Sequence, residues 1–173
     1  MPPLAKHHSS TTTKLLFVGD SGAGKTGALA SLAAAGFKVR ILDLDNGVDV
    51  LRDLLSNGNY DKSAIGNVEY VTLTEPMKNQ GGKLVPAKAS VWQRVAGMLG
   101  DWKDGDINHG SITTWDDNTV LVLDSLTMLS DAALSYILAM NGRLGQHPHQ
   151  ADWGLAQALV ENLLRMLYAE GVK

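Results

Sequence analysis

One short segment of the chain has the residue types and the spacing needed to hold a row of phosphates. It matches the pattern G-x-x-x-x-G-K-[ST] at every fixed position and consists of Gly19, Asp20, Ser21, Gly22, Ala23, Gly24, Lys25 and Thr26, with Gly27 next in the chain. Glycines let a backbone curl around an anion, because no Cβ intervenes, and the helix that follows directs its positive N-terminus at the same charge. Lys25 adds an ammonium for the β- and γ-phosphates, and Thr26 adds a hydroxyl for Mg²⁺. The segment therefore predicts a site for ATP, or a close relative of ATP, with Mg²⁺.

A carboxylate at the end of an apolar run has the position that a metal ligand needs. Asp124 ends the run 119–124, which is apolar without alternation and is typical of a strand buried in a parallel sheet. A carboxylate at the carboxyl end of such a strand faces the phosphate site and can hold Mg²⁺. The alternative is an Asp that caps the next helix, but Ser125 or Thr127 can provide that cap. We therefore expect Thr26 and Asp124 to hold the metal.

Two further carboxylates, Asp43 and Asp45, lie at the end of the second predicted strand, 37–44. Strand alternation puts their side chains on the same side of the sheet. One of them has the chemistry to orient an attacking water as a general base. An ordinary acidic strand end, or a turn with Asn46 and Gly47, explains the pattern equally well.

The elements that must position these residues alternate along the chain. Apolar runs predict strands at 14–18, 37–44, 68–73 and 119–124, and apolar residues at helical spacing predict helices at about 25–35, from 48, at 90–102, from 126 and from 155. Residues 74–89 are interpreted as a long loop or a small hairpin, and residues 103–118 as a polar loop. Alternating strands and helices predict an α/β fold with a mostly parallel sheet.

Composition sets limits on location and chemistry. The chain has 173 residues, of which 45% are hydrophobic, a formal net charge of −3 and no cysteine. It is long enough for one cored domain, and the missing cysteines exclude disulfides and thiolate catalysis. No apolar run approaches the roughly 18 residues that span a bilayer. We expect a flexible tail at 1–13, a core at 14–173, a cytoplasmic location and no membrane partner.

Three segments together resemble a known family. The phosphate-binding segment, the run 42–47 (Leu-Asp-Leu-Asp-Asn-Gly) and the run 120–125 (Val-Leu-Val-Leu-Asp-Ser) are similar to the RecA-like P-loop ATPase core. More closely, the chain resembles phage-encoded AAA-type ATP-binding proteins, some of which are single-strand annealing recombination proteins. The resemblance implies ATP hydrolysis with Asp45 and Lys25 as catalytic residues. Asp45 stands where the group often has Glu. The resemblance also implies single-stranded DNA as a partner and a homo-oligomeric ring or filament.

The same resemblance makes a topological prediction. In RecA-like cores a further strand lies between the P-loop strand and the metal-binding strand, and by strand count it follows Lys173. We therefore expect the chain to be the N-terminal part of a longer domain, with the strands at 14–18 and 120–123 one strand apart. Direct pairing of these two strands would favour a P-loop kinase that phosphorylates a small acceptor. A non-catalytic, nucleotide-dependent scaffold is the other alternative.

Three weaker signals remain open. Residues 76–94 contain Lys78, Lys83, Lys88 and Arg94 without Asp or Glu, which fits either a nucleic-acid contact or a solvated loop. Arg143 is either a surface arginine or an arginine finger that reaches a neighbouring subunit. Residues 147–152 include two histidines but no third metal ligand, so we interpret them as a loop whose Asp152 caps the last helix.

Overall fold

The fold is a parallel sheet between two layers of helices, in a computed structural model that describes residues 13–20 and 22–169. The central sheet contains β1 (Lys38–Asp43), β2 (Val68–Thr72) and β7 (Thr119–Asp124), in the order β2-β1-β7 and all parallel. Because parallel strands end at one edge, the carboxyl ends of β1 and β7 lie side by side, with Asp43 directly opposite Asp124. The predicted α/β class and parallel sheet are confirmed.

Five helices cover the two faces of this sheet: α1 (Gly27–Ala34), α2 (Val48–Asn57), α3 (Val91–Gly100), α4 (Leu126–Met140) and α5 (Gln150–Tyr168). Helices α1 and α2 pack on one face, against Val39 and Ile41 of β1. Helices α3, α4 and α5 pack on the other face, against Leu42 of β1 and Leu121 and Leu123 of β7. Alternation along β1 places Asp43 on the face that carries α1, the helix that follows the glycine-rich segment.

Two hairpins project from the region between β2 and β7. The segment 74–89, predicted as a loop or hairpin, forms β3 (Met77–Gln80) and β4 (Lys83–Pro86). The segment 103–118, predicted as a plain polar loop, instead contains most of a second hairpin, β5 (Trp102–Asp104) with β6 (Ile107–Gly110), and a 3-10 turn. The prediction missed it because Trp102 was assigned to the preceding helix, whereas this side chain is buried against Trp115 in the core.

The prediction of a first strand at residues 14–18 is wrong. Residues 14–18 form no regular element and pair with no strand in the described part of the chain, and the apolar side chains of Leu15 and Val18 are 70% and 87% exposed. The outer edge of β7 likewise has no described strand beside it, and all six of its residues are only half-buried rather than buried. An apolar run needs a ladder partner to become a strand, and here the described residues supply none. The predicted tail at 1–13 lies outside the described residues except for Thr13.

Candidate nucleotide site

The glycine-rich segment forms the irregular turn that leads into α1. Gly22 and Gly24 have φ angles of 80° and 84°, a region that residues with a Cβ adopt only at a cost. A Cβ at Gly19 would lie 3.0 Å from the Cβ of Ala23, so the loop also closes tightly on itself. Gly27 lies at the contact between α1 and α2, because a Cβ there would lie 3.3 Å from Leu54 of α2. The predicted Ser21 lies outside the described residues.

Lys25 lies across the loop that it belongs to. Its Nζ donates hydrogen bonds to the backbone carbonyls of Gly19 at 2.7 Å and Asp20 at 2.9 Å. An ammonium held in this way places one full positive charge inside the curl of the backbone. The arrangement suits an anion that enters the same curl, because a phosphate chain presents several acceptor oxygens to one point charge.

The loop and the sheet meet at a single hydrogen bond. The Thr26 hydroxyl donates to Oδ2 of Asp124 at 3.1 Å, so the start of α1 touches the carboxyl end of β7. Residues 98 positions apart in the chain are thereby brought to one point. Ser125, not Asp124, caps α4, since its Oγ accepts from the backbone N–H of Met128. The alternative that Asp124 is the cap of α4 is therefore wrong.

The surroundings of the Asp124 carboxyl raise its pKa and so disfavour its ionised form. Burial is the largest effect and raises its pKa, and the nearby charges of Asp45 and Asp43 raise it further. The hydrogen bond from Thr26 and the charge of Lys25 act in the opposite direction. The charges of Asp43 and Asp45 thus disfavour the ionised form of Asp124, and the charge of Lys25 favours it. A bound cation would act in the same direction as Lys25.

Asp43 and Asp45 occupy different environments, although strand alternation predicted the same side for both. Asp43 is 1% exposed, and its two oxygens accept from the Gly47 backbone N–H and from the Thr72 hydroxyl, each at 3.1 Å. Asp45 is exposed, because the chain leaves the sheet after Asp43 and turns at Asn46, whose φ is 56°. The backbone N–H of Asp45 donates to the Asp124 carbonyl at 3.3 Å, which keeps this turn beside the end of β7.

Thr72 is the residue of the site that sequence reasoning missed. It ends β2, lies opposite Asp43 in the strand register and donates to its carboxylate. A single threonine at a strand end is a common residue in a common place, so its type gave no signal. The register of β2 on β1 could have identified it, but register is a property of the paired strands and not of one segment.

The oxygen atoms at this edge fit Mg²⁺. A hydroxyl and a carboxylate are hard ligands, and Mg²⁺ is usually held by one or two carboxylates together with waters and substrate phosphates. Across residues 13–20 and 22–169, no group of three or more His, Asp or Glu side chains is arranged to hold a metal without such help. Thr26 and Asp124 are the described side chains that fit the ion.

The family of the chain follows from a comparison with known protein families. The family model described as "AAA domain" matches residues 11–172. The chain belongs to this AAA domain family. The match includes the whole glycine-rich segment, β1, β7 and all five helices. Neither the curated proteins nor the solved structures that were compared with the chain gave a match.

Membership explains the geometry at the carboxyl edge of the sheet. The family is one of AAA-type P-loop ATPases, so the chain carries a nucleotide-binding domain of the ATPase class in a P-loop NTPase fold. In such domains the glycine-rich segment is the phosphate-binding loop, or P-loop. In the part of the AAA domain that the structure describes, no helix is both long enough and apolar enough to cross a bilayer.

The weaker signals near the last helix have a structural explanation. Asp152 is buried, and it accepts from the His149 backbone N–H at 2.7 Å, from Arg143 at 2.5 Å and from Asn141 at 3.1 Å. The predicted cap is confirmed in part: the N-cap of α5 is His149, and Asp152 lies in the first turn of the helix, where it completes a capping box with the His149 backbone N–H. Arg143 is neither a free surface arginine nor an extended finger in this structure, because its guanidinium closes the turn between α4 and α5. The hydrogen bond from Arg143 is the largest of the effects that hold the pKa of Asp152 below its usual value.

Proposed function

We propose that this AAA domain binds ATP with Mg²⁺ and hydrolyses the γ-phosphate bond. The observation that carries the proposal is the 3.1 Å hydrogen bond between Thr26 and Asp124. It joins the P-loop to the carboxylate at the end of β7, and this contact supports the proposal that Thr26 and Asp124 hold the metal together. The proposed catalytic unit is the core from residue 14 to residue 173.

Each residue of the P-loop has a proposed task. Gly22 and Gly24 hold the positive φ angles that let backbone N–H groups converge on the phosphates. Lys25 exchanges its present carbonyl acceptors for β- and γ-phosphate oxygens, which are stronger acceptors for an ammonium. Thr26 and Asp124 would hold Mg²⁺, which would supply positive charge against the β- and γ-phosphate oxygens.

Asp45 is the proposed general base, and Asp43 is the residue that positions it. A base must reach a water molecule, and Asp45 is exposed beside the end of β7, whereas Asp43 is buried. Both oxygens of Asp43 are already occupied, by Gly47 and Thr72. These bonds anchor the two ends of the turn 43–47 that carries Asp45. The choice between the two carboxylates thus rests on their accessibility and on their existing hydrogen bonds.

The strand arrangement supports a RecA-like rather than a kinase-like core. The strand that follows the P-loop helix, β1, pairs directly with the metal-binding strand β7. Residues 14–18, which precede the P-loop, do not pair with β7 among the described residues. A kinase-like order would require that pairing. The same open position beside β7 is where the RecA-like order has its additional strand, and we propose that a strand occupies it in the working domain.

We propose that the domain uses the energy of ATP hydrolysis to act on DNA. The support is the resemblance carried by the P-loop and by the runs 42–47 and 120–125, which also suggests phage recombination or replication, a homo-oligomeric state and a cytoplasmic site of action. The test is the rate of ATP hydrolysis with and without single-stranded DNA. A rate that single-stranded DNA does not change would leave the ATPase proposal intact and remove DNA as its effector.

Phosphate release from Mg·ATP tests the central proposal. The wild-type chain should release phosphate, and a Lys25→Ala variant should not. A wild-type chain that binds ATP but turns it over no faster than Asp45→Asn would instead be a nucleotide-dependent scaffold. A phosphorylated small acceptor recovered from the reaction would favour the kinase alternative.

A further inference from the structure

The hairpin of β3 and β4, with its flanking residues 75–90, projects from the domain as an arm. Among the described residues, its two strands pair with each other and with no further strand, in a sheet separate from the central one. A two-residue turn, Gly81-Gly82, joins them with φ angles of 59° and 82°, the geometry that favours glycine at both positions. All four residues of β3 are exposed. The arm is therefore a preformed structure with most of its surface in solvent.

The base of the arm is fixed to the domain. The carboxylate of Glu75 accepts from the backbone N–H groups of Ser90 and Val91, each at 2.7 Å, and from the Ser90 hydroxyl at 3.1 Å. These bonds join the start of the arm to its end at the N-terminus of α3, where a carboxylate is favoured by the helix dipole. Val85 anchors the arm laterally, since a Cβ at Gly145 would lie only 3.2–3.4 Å from the Val85 side chain.

Two of the described lysines outside the arm form ion pairs with acidic side chains. Lys38 pairs with Asp116 at 2.9 Å and Lys103 pairs with Asp101 at 2.5 Å. The arm contains three lysines, Lys78, Lys83 and Lys88. Over residues 13–20 and 22–169, none of them has such an acidic partner. The segment 76–94 contains no Asp or Glu, although the whole chain has a net charge of −3. The positive charges of the arm thus have no carboxylate within the same segment.

Register places two of these charges on one face. Lys78 lies opposite Val85 and Lys83 lies opposite Gln80, so Lys78 and Lys83 are diagonal neighbours on the same side of the hairpin. Diagonal neighbours in an antiparallel pair are about 7–8 Å apart. Lysine binds a phosphate as a point charge, which suits contact with a backbone and does not read base edges.

The arm also stands at the functional edge of the sheet. Strand β2 runs parallel to β1 and β7, so its end at Thr72 lies at the edge that carries Asp43 and Asp124. The arm begins three residues after Thr72, at Glu75. A polyanion held on the arm would therefore lie on the same side of the domain as the nucleotide.

We propose that the arm binds the phosphate backbone of a nucleic-acid strand through Lys78, Lys83 and Lys88. The inference rests on the proposed function, because it supplies the surface by which the ATPase contacts its DNA. No aromatic side chain lies between residues 75 and 90, so the arm holds the backbone without stacking on bases and without preference for sequence.

The test is the salt dependence of strand binding by the full chain, measured without nucleotide. The probes are a labelled single-stranded oligothymidine and a duplex of equal length. Each phosphate contact contributes about −0.7 to the slope of log K against log salt for single strands, so replacing all three lysines by Gln should flatten the slope by about 2. Between about 50 and 200 mM salt, wild type should then lose roughly 20-fold more affinity than the triple variant loses.

A matched control removes the same charge elsewhere. The variant Lys38→Gln, Lys62→Gln, Lys103→Gln changes three exposed lysines outside the arm, two of them in surface ion pairs that contribute little to stability. It should keep the wild-type slope. Basal ATP hydrolysis should be unchanged in both triple variants, since none of these lysines belongs to the nucleotide site.

The outcomes separate the two proposals. A slope that flattens only in the arm variant supports the arm, and the probe that shows it identifies a single strand or a duplex as the source of the phosphates. Equal slopes in wild type and the arm variant, equal flattening in the control, or binding of an acidic peptide in place of either probe would overturn it. Absence of ATP turnover in wild type would refute the proposed function alone, because strand binding is measured without nucleotide.

Discussion

Asp43 and Asp45 are two carboxylates of one turn, and exchanging each for its amide should give opposite results. Asparagine at position 43 keeps an oxygen for the Gly47 N–H, and its amide nitrogen can donate to the Thr72 hydroxyl. The turn should therefore survive, at a cost of about 1 kcal/mol or less. Asparagine at position 45 changes no described hydrogen bond of the side chain, but an amide cannot take a proton from water.

The magnitudes decide which variant is informative. Loss of a general base typically costs roughly 10²–10⁴ in rate, so Asp45→Asn should raise the barrier by about 3–5 kcal/mol while Mg·ATP binding is kept. Asp43→Asn should keep kcat within about tenfold of wild type. Asp43→Ala removes two hydrogen bonds to a buried carboxylate, at about 1.5–3 kcal/mol each, from a domain with only about 5–15 kcal/mol of stability. That variant is expected to be poorly folded and is not a test of catalysis.

The assay is steady-state phosphate release, with KM and kcat separated and ATP affinity measured at equilibrium. Rescue by the conservative variant is the diagnostic readout for Asp43, because a positioning role tolerates the amide and a proton-accepting role does not. If Asp43→Asn is folded, binds ATP and is as inactive as Asp45→Asn, Asp43 takes part in proton transfer. If Asp45→Asn hydrolyses ATP normally, the assignment of Asp45 as base is wrong and Asp43 becomes the next candidate.

The remaining predictions concern the P-loop, the metal and the end of α4. Lys25→Ala should weaken ATP binding or abolish turnover, and unchanged affinity and rate would remove Lys25 from the site. Asp124→Asn should raise the Mg²⁺ concentration needed for half-maximal hydrolysis, whereas an unchanged Mg²⁺ titration would exclude it as a ligand. The Asp152 pKa lies below its usual value because of Arg143, so its stabilising effect is present above about pH 4 and is lost as pH falls through the folded-state pKa. Asp152→Asn should therefore lower Tm at pH 7 and flatten the pH dependence of Tm below about pH 4; a Tm profile that parallels wild type would contradict this.

The parts of the site that lie within one segment could be predicted from the sequence. The P-loop pattern contains its own geometry, since the glycines, Lys25 and Thr26 act within eight consecutive residues. Asp124 and Ser125 could also be assigned, because one apolar run ends at the carboxylate and the next residue is a good helix cap. The structure then adds the hydrogen bond that joins Thr26 to Asp124, which connects two such segments.

The parts that depend on pairing between segments could not be predicted. Alternation placed Asp43 and Asp45 on the same side only on the assumption that β1 continues, and β1 ends at Asp43. The partner of Asp43 is set by the register of β2, which no single segment contains. The hairpin of β5 and β6 escaped prediction for a related reason: Trp102 is apolar and follows a helical stripe, yet it is held in place by Trp115.

The run 14–18 also shows that strand formation depends on pairing between segments and cannot be predicted from one segment. Its residues have the composition of a buried strand, but a strand is stable only when its N–H and C=O groups have partners. In the described part of the chain, no strand pairs with this run or with the outer edge of β7. The run nevertheless stays beside the domain at its first residue, because Lys14 Nζ donates to the Leu167 carbonyl at 2.6 Å and lies 5.5 Å from the centre of the Tyr168 ring. The end of α5 is thus adjacent to the start of the run. The hydrophobic pattern predicts which segments can form strands, and a neighbouring strand with free N–H and C=O groups decides which of them do.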